Sequence, residues 1–179
     1  MSKIDFSDIN VPELIADMWE PLTEEQREYL SEHFTIQNFK KNEVVHFEGE
    51  TPTHLMCLLT GKVKIYKDGV GGRSQIIRMM KPVEYFGYRA YFSEQAYVTA
   101  AAAFEPSVIC LIPMTVITKL IRQNNDLAMF FIKQLSNDLG MSDTRTVNLT
   151  QKHIRGRLAE SLLFLKESYG IEEDGSTLS

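Results

Sequence analysis

The sequence predicts a mostly β domain of the sandwich or jelly-roll type, flanked by short helices and followed by one long helix. Between Thr35 and Pro113, short apolar runs rich in β-branched and aromatic residues alternate with glycine and proline turns. Before Thr35 and after Pro113 the apolar spacing changes from two residues to three or four, the helical period. A composition of 44% apolar residues with six prolines in 179 residues suits one packed domain with an appendage rather than two full domains.

At the N-terminus, Pro12 and Pro21 bracket a segment in which Leu14, Ile15, Met18 and Trp19 follow helical spacing. A second short helix opens at Thr23, whose spacing to Gln26 is that of a capping box, and carries Tyr29, Leu30 and Phe34 on its apolar face. The β region then reads as VVHF, HLMCLL, KVKIYK, SQIIRMM, YVTAAAAF and SVICLIP. Its punctuation is Gly49, Thr60-Gly61, Asp68-Gly69, Gly71-Gly72, Lys81-Pro82 and Glu105-Pro106, residues that supply special backbone angles or end a ladder.

After Pro113, MTVITKLIRQN gives a short helix, and a long one starts near Asp126. In it Leu127, Phe131, Leu135 and Leu139 recur every four residues. A stripe of this length on a helix leaving a small β domain calls for a partner surface; a symmetric second copy is the simplest supplier, and the chain's own β domain takes part of the same face. A third helical run, HIRGRLAESLLFLKESYG, ends near Gly170, and Asp174-Gly175 marks a turn before the sequence stops, the pattern of a chain cut between domains.

Several function classes are disfavoured. The net charge of −5 argues against a nucleic-acid binder over this segment, because phosphate neutralisation needs clustered Lys and Arg. Arg145, Lys152, Arg155, Arg157 and Lys166 do crowd one stretch, which reads as a solvated helix face. The longest apolar stretch, Val108 to Ile121, contains Pro113 and Lys119 and falls short of the about 20 residues a bilayer span needs, and no secretory signal is visible, which places the protein in the cytoplasm. Cys57 and Cys110 lie in apolar runs and read as small buried hydrophobes, too few to build a four-ligand metal site. His33, His46, His54 and His153 lack ligand spacing, so a metal-dependent jelly-roll enzyme has no visible centre and no cofactor is expected. GVGG at 69–72 lacks the Gly-Lys-Ser/Thr of a phosphate loop and reads as a hairpin turn.

The order of elements, together with LLTGKVKIYK at 58–67, the Phe86-Gly87 pair after KPVEY, Val147-Asn148-Leu149 and Gly156-Arg157-Leu158-Ala159, resembles the Crp/Fnr regulators from about Leu22 to Gly170. The resemblance implies N-terminal helices over 1–34 and a cyclic-nucleotide-binding-type jelly roll, a double-stranded β-helix acting as sensor, over 35–113. It further implies a short helix and the long dimerisation helix over 114–150, and the truncated start of a DNA-binding domain over 151–179. It implies a homodimer through Leu127, Phe131, Leu135 and Leu139. DNA would be contacted through a helix-turn-helix absent from this chain.

In cyclic-AMP-binding relatives a cassette resembling F-G-E-L, a short gap and R-S-A holds the nucleotide, with Arg on the phosphate and Glu on the ribose. The corresponding residues here are Phe86, Gly87, Tyr88, Arg89, Glu94, Gln95, Ala96 and Tyr97, with Ser142 and Asp143 where the dimer helix closes the pocket. Glu94 at the arginine position replaces a charge-assisted contact with repulsion inside a low-dielectric pocket, so ordinary cyclic-AMP binding is not expected, unless Arg89 substitutes as anchor. Tyr85, Phe86, Tyr88, Tyr91, Phe92 and Tyr97 either wall an apolar or planar effector or fill an unused pocket themselves. The leading function is a transcription regulator sensing an unidentified small molecule; the alternative is a free-standing interaction module whose C-terminal helix binds a partner protein, and an enzyme comes third.

Overall fold

Two antiparallel four-stranded sheets form the body of the protein, as the turn spacing predicts. The computed structural model describes residues 10–151 apart from 70, together with 155, 156, 158, 159, 162 and 163. It divides into two units, Met1–Phe131 and Ile132–Ser179. The first sheet has the order β1 (Thr35–Phe39), β8 (Ser107–Pro113), β3 (His54–Thr60), β6 (Tyr85–Phe86). The second has β2 (Val44–His46), β7 (Ala100–Ala103), β4 (Val63–Asp68), β5 (Ser74–Met80). Strands far apart in sequence are neighbours, the wrapped connectivity of a jelly roll.

Side-chain alternation divides the first sheet into two buried faces. Met56, Leu58 and Ile109 face inward and pack with Val63, Met80, Ala101 and Ala103 of the second sheet. The intervening Leu55, Cys57, Leu59, Cys110 and Ile112 are buried on the opposite face. Helix α5 (Met114–Gln123) lies against β3 and β8 on that side, burying Met114, Ile117 and Leu120. Being covered twice, β3 and β8 read as continuous apolar runs, whereas β4 is largely half-buried and β5 is exposed along much of its length. Cys57 and Cys110 face each other across the β3–β8 ladder as free thiols. Burial pushes the Cys57 thiol up and holds Cys110 up to about 12, so both are inert protonated hydrophobes at neutral pH.

The N-terminal segment folds as two single turns, α1 (Val11–Leu14) and α2 (Ala16–Trp19), where the sequence suggests one helix. Helix α3 (Glu24–Ser31) has the predicted box: Gln26 N–H donates to Thr23 Oγ1 at 3.3 Å and Thr23 N–H to Gln26 Oε1 at 3.1 Å. Asn124 ties this layer to the other helices. Its Nδ2 donates to Pro21 O and Gln26 Oε1, both at 2.8 Å. Its Oδ1 accepts from Leu127 N–H at 3.0 Å and so caps α6 (Asn125–Gln151). Asn125–Phe131 of α6 belong to the first unit and the remainder to the second.

Gly61 shows why one turn admits no side chain. It sits at φ +88°, and a Cβ there would lie 2.5 Å from Pro106 O and from Ser107 Oγ. Ser107 Oγ bridges the two turns, accepting from Lys62 N–H at 3.2 Å and lying 2.8 Å from Glu105 O. Lys152, His153, Arg157, Lys166 and the acidic run 172–174 lie outside the described residues, as does most of the segment 151–179.

The run YVTAAAAF does not form one strand. Only Ala100–Ala103 pair, as β7, and Tyr97 is drawn away because its N–H donates to Glu50 O at 2.9 Å while its O accepts from Gly49 N–H at 2.7 Å. Its ring stacks on His46, with centroids 3.8 Å apart. Burial lowers the His46 pKa to about 4, against smaller opposing effects from the Phe47 backbone and Glu50. The folded state therefore resists a proton that the unfolded chain takes up below about 6.5. Stability is fully retained above about pH 6.5 and falls toward pH 4, by up to roughly 1.4 kcal/mol per pH unit from this group. Urea unfolding at pH 7 and pH 5 checks this: His46→Phe, which keeps a ring on Tyr97, is expected to lose markedly less stability between the two pH values than the unchanged chain. Equal losses would show that His46 is protonated in the fold.

Candidate functional site

The segment Tyr85–Tyr97 is built as strand, turn, helix and tied loop. β6 pairs with β3, placing Met56 opposite Phe86 and Cys57 opposite Tyr85. Gly87 follows at φ +90°, where an added Cβ would lie 2.9 Å from His54 O and 3.2 Å from Tyr97 Oη. Only glycine lets the chain turn this close to β3. Helix α4 (Tyr88–Phe92) comes next, an element the sequence does not signal because its aromatic residues read as strand formers. It closes with Ser93 Oγ donating to Ala90 O at 3.2 Å and Gln95 N–H donating to the same oxygen at 3.0 Å.

The residues expected to line a ligand site separate into two sets. Phe86, Tyr88 and Tyr97 are buried and Gly87 is half-buried, while Arg89, Glu94, Gln95 and Ala96 are exposed. Glu94 stands at φ +54° on the outer loop. It does not lie in a low-dielectric pocket, which corrects the expected strength of its repulsion toward a phosphodiester: in water two charges 4 Å apart interact by only about 1 kcal/mol. What the loop lacks is the guanidinium itself. Ser142 and Asp143 are exposed on α6 in the second unit, with Thr146 Oγ1 donating to Ser142 O at 3.0 Å.

The aromatic residues of the segment are largely engaged with one another and with the start of α6. Phe131 lies 5.5 Å from Tyr88, 5.7 Å from Phe92 and 5.2 Å from Phe130, all inclined or edge-to-face. Tyr85 meets Phe130 at 5.4 Å, and Tyr91 meets Phe92 at 5.9 Å. Each such pair is worth about 0.5–1.5 kcal/mol beyond its buried area. Tyr85 and Tyr88 are buried in these contacts, while Tyr91 is half-buried and Phe92 stays 39% exposed. Burial, which comes ahead of the nearby Cys57, Asp17 and Cys110, pushes the Tyr85 phenol up, so it stays a neutral ring in this packing.

The predicted helix stripe is divided by the same packing. Leu127 is fully buried and Phe131 only 3% exposed within the first unit, so neither offers surface to a second copy in this state. In the second unit, Leu135 is half-buried and Leu139 is 64% exposed. Ile132, 52% exposed, joins them at heptad spacing, a residue that a strict four-residue count passes over.

Two concave sites stand out among the described residues. A groove of about 300 Å³ runs along α5 past Thr115, Thr118, Lys119 and Arg122, bounded by Tyr91. A cleft of about 230 Å³ lies among β1, β2, β3 and β8, with His46, Met56 and Tyr97 in its buried wall. Of the expected site residues only Tyr97 borders it. Sequence reasoning missed this cleft because its walls come from four strands distant in the chain. Among the described residues no group of three or more His, Cys, Asp or Glu is placed to hold a metal ion.

Comparison with known proteins agrees with this architecture. The family model described as cyclic nucleotide-binding domain matches residues 36–124. An uncharacterised protein of Haemophilus influenzae is 32% identical over 116 residues, which cover 64% of this chain and 87% of that protein. The global nitrogen regulator of a Nostoc species is 23% identical over 148 residues, covering 80% of this chain and 66% of the regulator, so this chain spans about two thirds of its length. Among solved structures, the sensor domain of the transcriptional regulator DNR from Pseudomonas aeruginosa superimposes with a TM-score of 0.66 at 24% identity, over 75% of this chain and 91% of that domain. The family model, the Haemophilus relative and the shared fold agree, and the chain belongs to the cyclic nucleotide-binding domain family, among the relatives of the Crp/Fnr regulators.

Proposed function

We propose that this chain is the sensing and dimerising part of a bacterial transcription regulator of the Crp/Fnr type, acting by binding rather than catalysis in the cytoplasm. The observation that carries the reading is the apolar seam on α6 in which Ile132 and Leu139 are exposed and Leu135 is half-buried, on a helix whose first turns are locked to the cassette segment through Phe131. A second copy would cover that seam. DNA contact belongs to a helix-turn-helix beyond the described residues, joined to the sensor by α6. No helix among the described residues is long and apolar enough to cross a membrane, in keeping with this reading. The domain plan 1–34, 35–113, 114–150 and 151–179 belongs to the same proposal.

The proposed mechanism is a population shift. An effector that prefers one arrangement of α4 and its aromatic contacts changes the balance between arrangements of the dimer helix, by no more than its difference in affinity for the two. The proposed contact residues are Phe86, Gly87, Tyr88, Arg89, Glu94, Gln95, Ala96 and Tyr97, with Ser142 and Asp143. Cyclic AMP is a poor candidate, because the loop offers Glu94 where a phosphate needs a fixed guanidinium.

Sedimentation equilibrium tests the dimer: the chain is expected at roughly twice 20.5 kDa at micromolar concentration, and Leu139→Asp is expected to shift it toward monomer. A monomer unaffected by Leu139→Asp would overturn the reading. Calorimetry tests the effector: cyclic AMP is expected to give no micromolar binding, and Glu94→Arg to improve its affinity about tenfold or more. Micromolar binding by the unchanged chain would make Arg89 the anchor, which Arg89→Ala would then abolish.

A further inference from the structure

The cleft at the open edge between the two sheets holds polar groups that the fold itself does not use. His46 is 6% exposed and Tyr97 7% exposed, yet His46 Nδ1 and Tyr97 Oη are buried without a hydrogen-bond partner. A buried polar atom left unpaired costs about 1–3 kcal/mol, so an occupant of the cleft that bonds to these two is favoured. Above them the rim carries Glu43 and Glu50, both exposed. Each carboxylate engages one oxygen with its own turn: Glu43 Oε2 accepts from Lys40 N–H and Glu50 Oε2 from Phe47 N–H, both at 2.8 Å. The second oxygen of each stays available. Among the described residues no ion pair neutralises either, and no Lys or Arg lines the cleft.

We propose that this cleft binds a small organic cation, a primary amine or amidine on a compact apolar body. The charge follows from two carboxylates on a lining that holds no Lys or Arg, which favours a cation over an anion. The donor N–H groups follow from what they would meet, the free oxygens of Glu43 and Glu50 at the rim. The apolar body follows from Phe39, Val45, Met56 and Leu111 in the wall, and a ring or alkyl chain there would lie beside the stacked His46 and Tyr97 rings. His46, neutral at pH 7 because burial holds its pKa near 4, adds a lone pair and no competing positive charge. The volume of about 230 Å³ matches about eight waters at liquid density, which sets the ligand at the size of a simple aromatic or short alkyl amine. A divalent metal is disfavoured, since the His and Glu side chains present do not converge as a ligand set.

The site is lined by neither Arg89 nor the loop residues Glu94, Gln95 and Ala96, and by no residue of α6. It touches that loop at one place, through the paired backbones of Tyr97 with Gly49 and Glu50.

Titration of the full chain with benzylamine, benzyl alcohol and benzoate, followed by ¹H–¹⁵N correlation spectra, tests the proposal. Benzylamine is expected to shift amide resonances of residues 43–54 and of Tyr97 in a saturable way, and the neutral and anionic analogues to bind at least about tenfold more weakly. Glu50→Gln keeps the turn bond to Phe47 through its amide oxygen and is expected to weaken benzylamine about tenfold while the remaining spectrum stays in place. Glu43→Gln with Glu50→Gln is expected to abolish binding. Equal binding of alcohol and amine, no response to the carboxylate changes, or no saturable shift with benzylamine would each overturn the proposal and leave a water-filled cleft.

Discussion

Phe131 is the residue through which the sensor body holds the first turns of α6. Its ring meets Tyr88 and Phe92 of α4 on one side and Phe130 on the other, and Phe130 in turn meets Tyr85 of β6. The loop that follows Gly87 and the first turns of α6 therefore share one aromatic core. Edge-to-face packing is directional, so the rings resist sliding past one another more than aliphatic side chains would. A shift of α4 must move Phe131 or break several ring contacts, the kind of discrete choice that lets a small local change reach a distant element.

That joint depends on the layering beneath it. β3 and β8 of the first sheet are buried on both faces, the inner side packing with the second sheet and the outer side covered by α5. Asn124 completes the layer, bonding Pro21 and Gln26 on one side and capping the start of α6 on the other. At the opposite edge, between β1 and β2, the sheets stay apart, and there the fold leaves His46 and Tyr97 with unpaired polar atoms. The same domain thus has one edge closed by aromatic packing and one edge left open and acidic.

Much of the fold was legible because local chemistry and tertiary role coincide. The Thr23–Gln26 box, the turn residues and the run SQIIRMM, which is β5 from end to end, follow from short-range rules. β1 was missed because Gln37 and Asn38 sit on an exposed edge and hide the pattern, and β6 because two residues carry no period. α4 was missed because Tyr88, Tyr91 and Phe92 favour strands in isolation, and only the contacts with Phe131 select the helix. In the site, Phe86-Gly87 could be recognised as a turn. Whether the tyrosines wall a ligand or pack on themselves depended on residues forty positions away, and so did the division of the helix stripe at Phe131. The acidic cleft left no local signal, because β1, β2, β3 and β8 meet there only in the folded chain.

The aromatic joint is most directly tested by a double-mutant cycle in urea unfolding on Tyr88→Leu, Phe131→Leu and the pair. Direct ring contact at 5.5 Å predicts a coupling energy of about 1 kcal/mol, with the double variant less destabilised than the sum of the single ones. Additivity within about 0.3 kcal/mol would mean that α4 and α6 are stabilised independently, and would contradict the account.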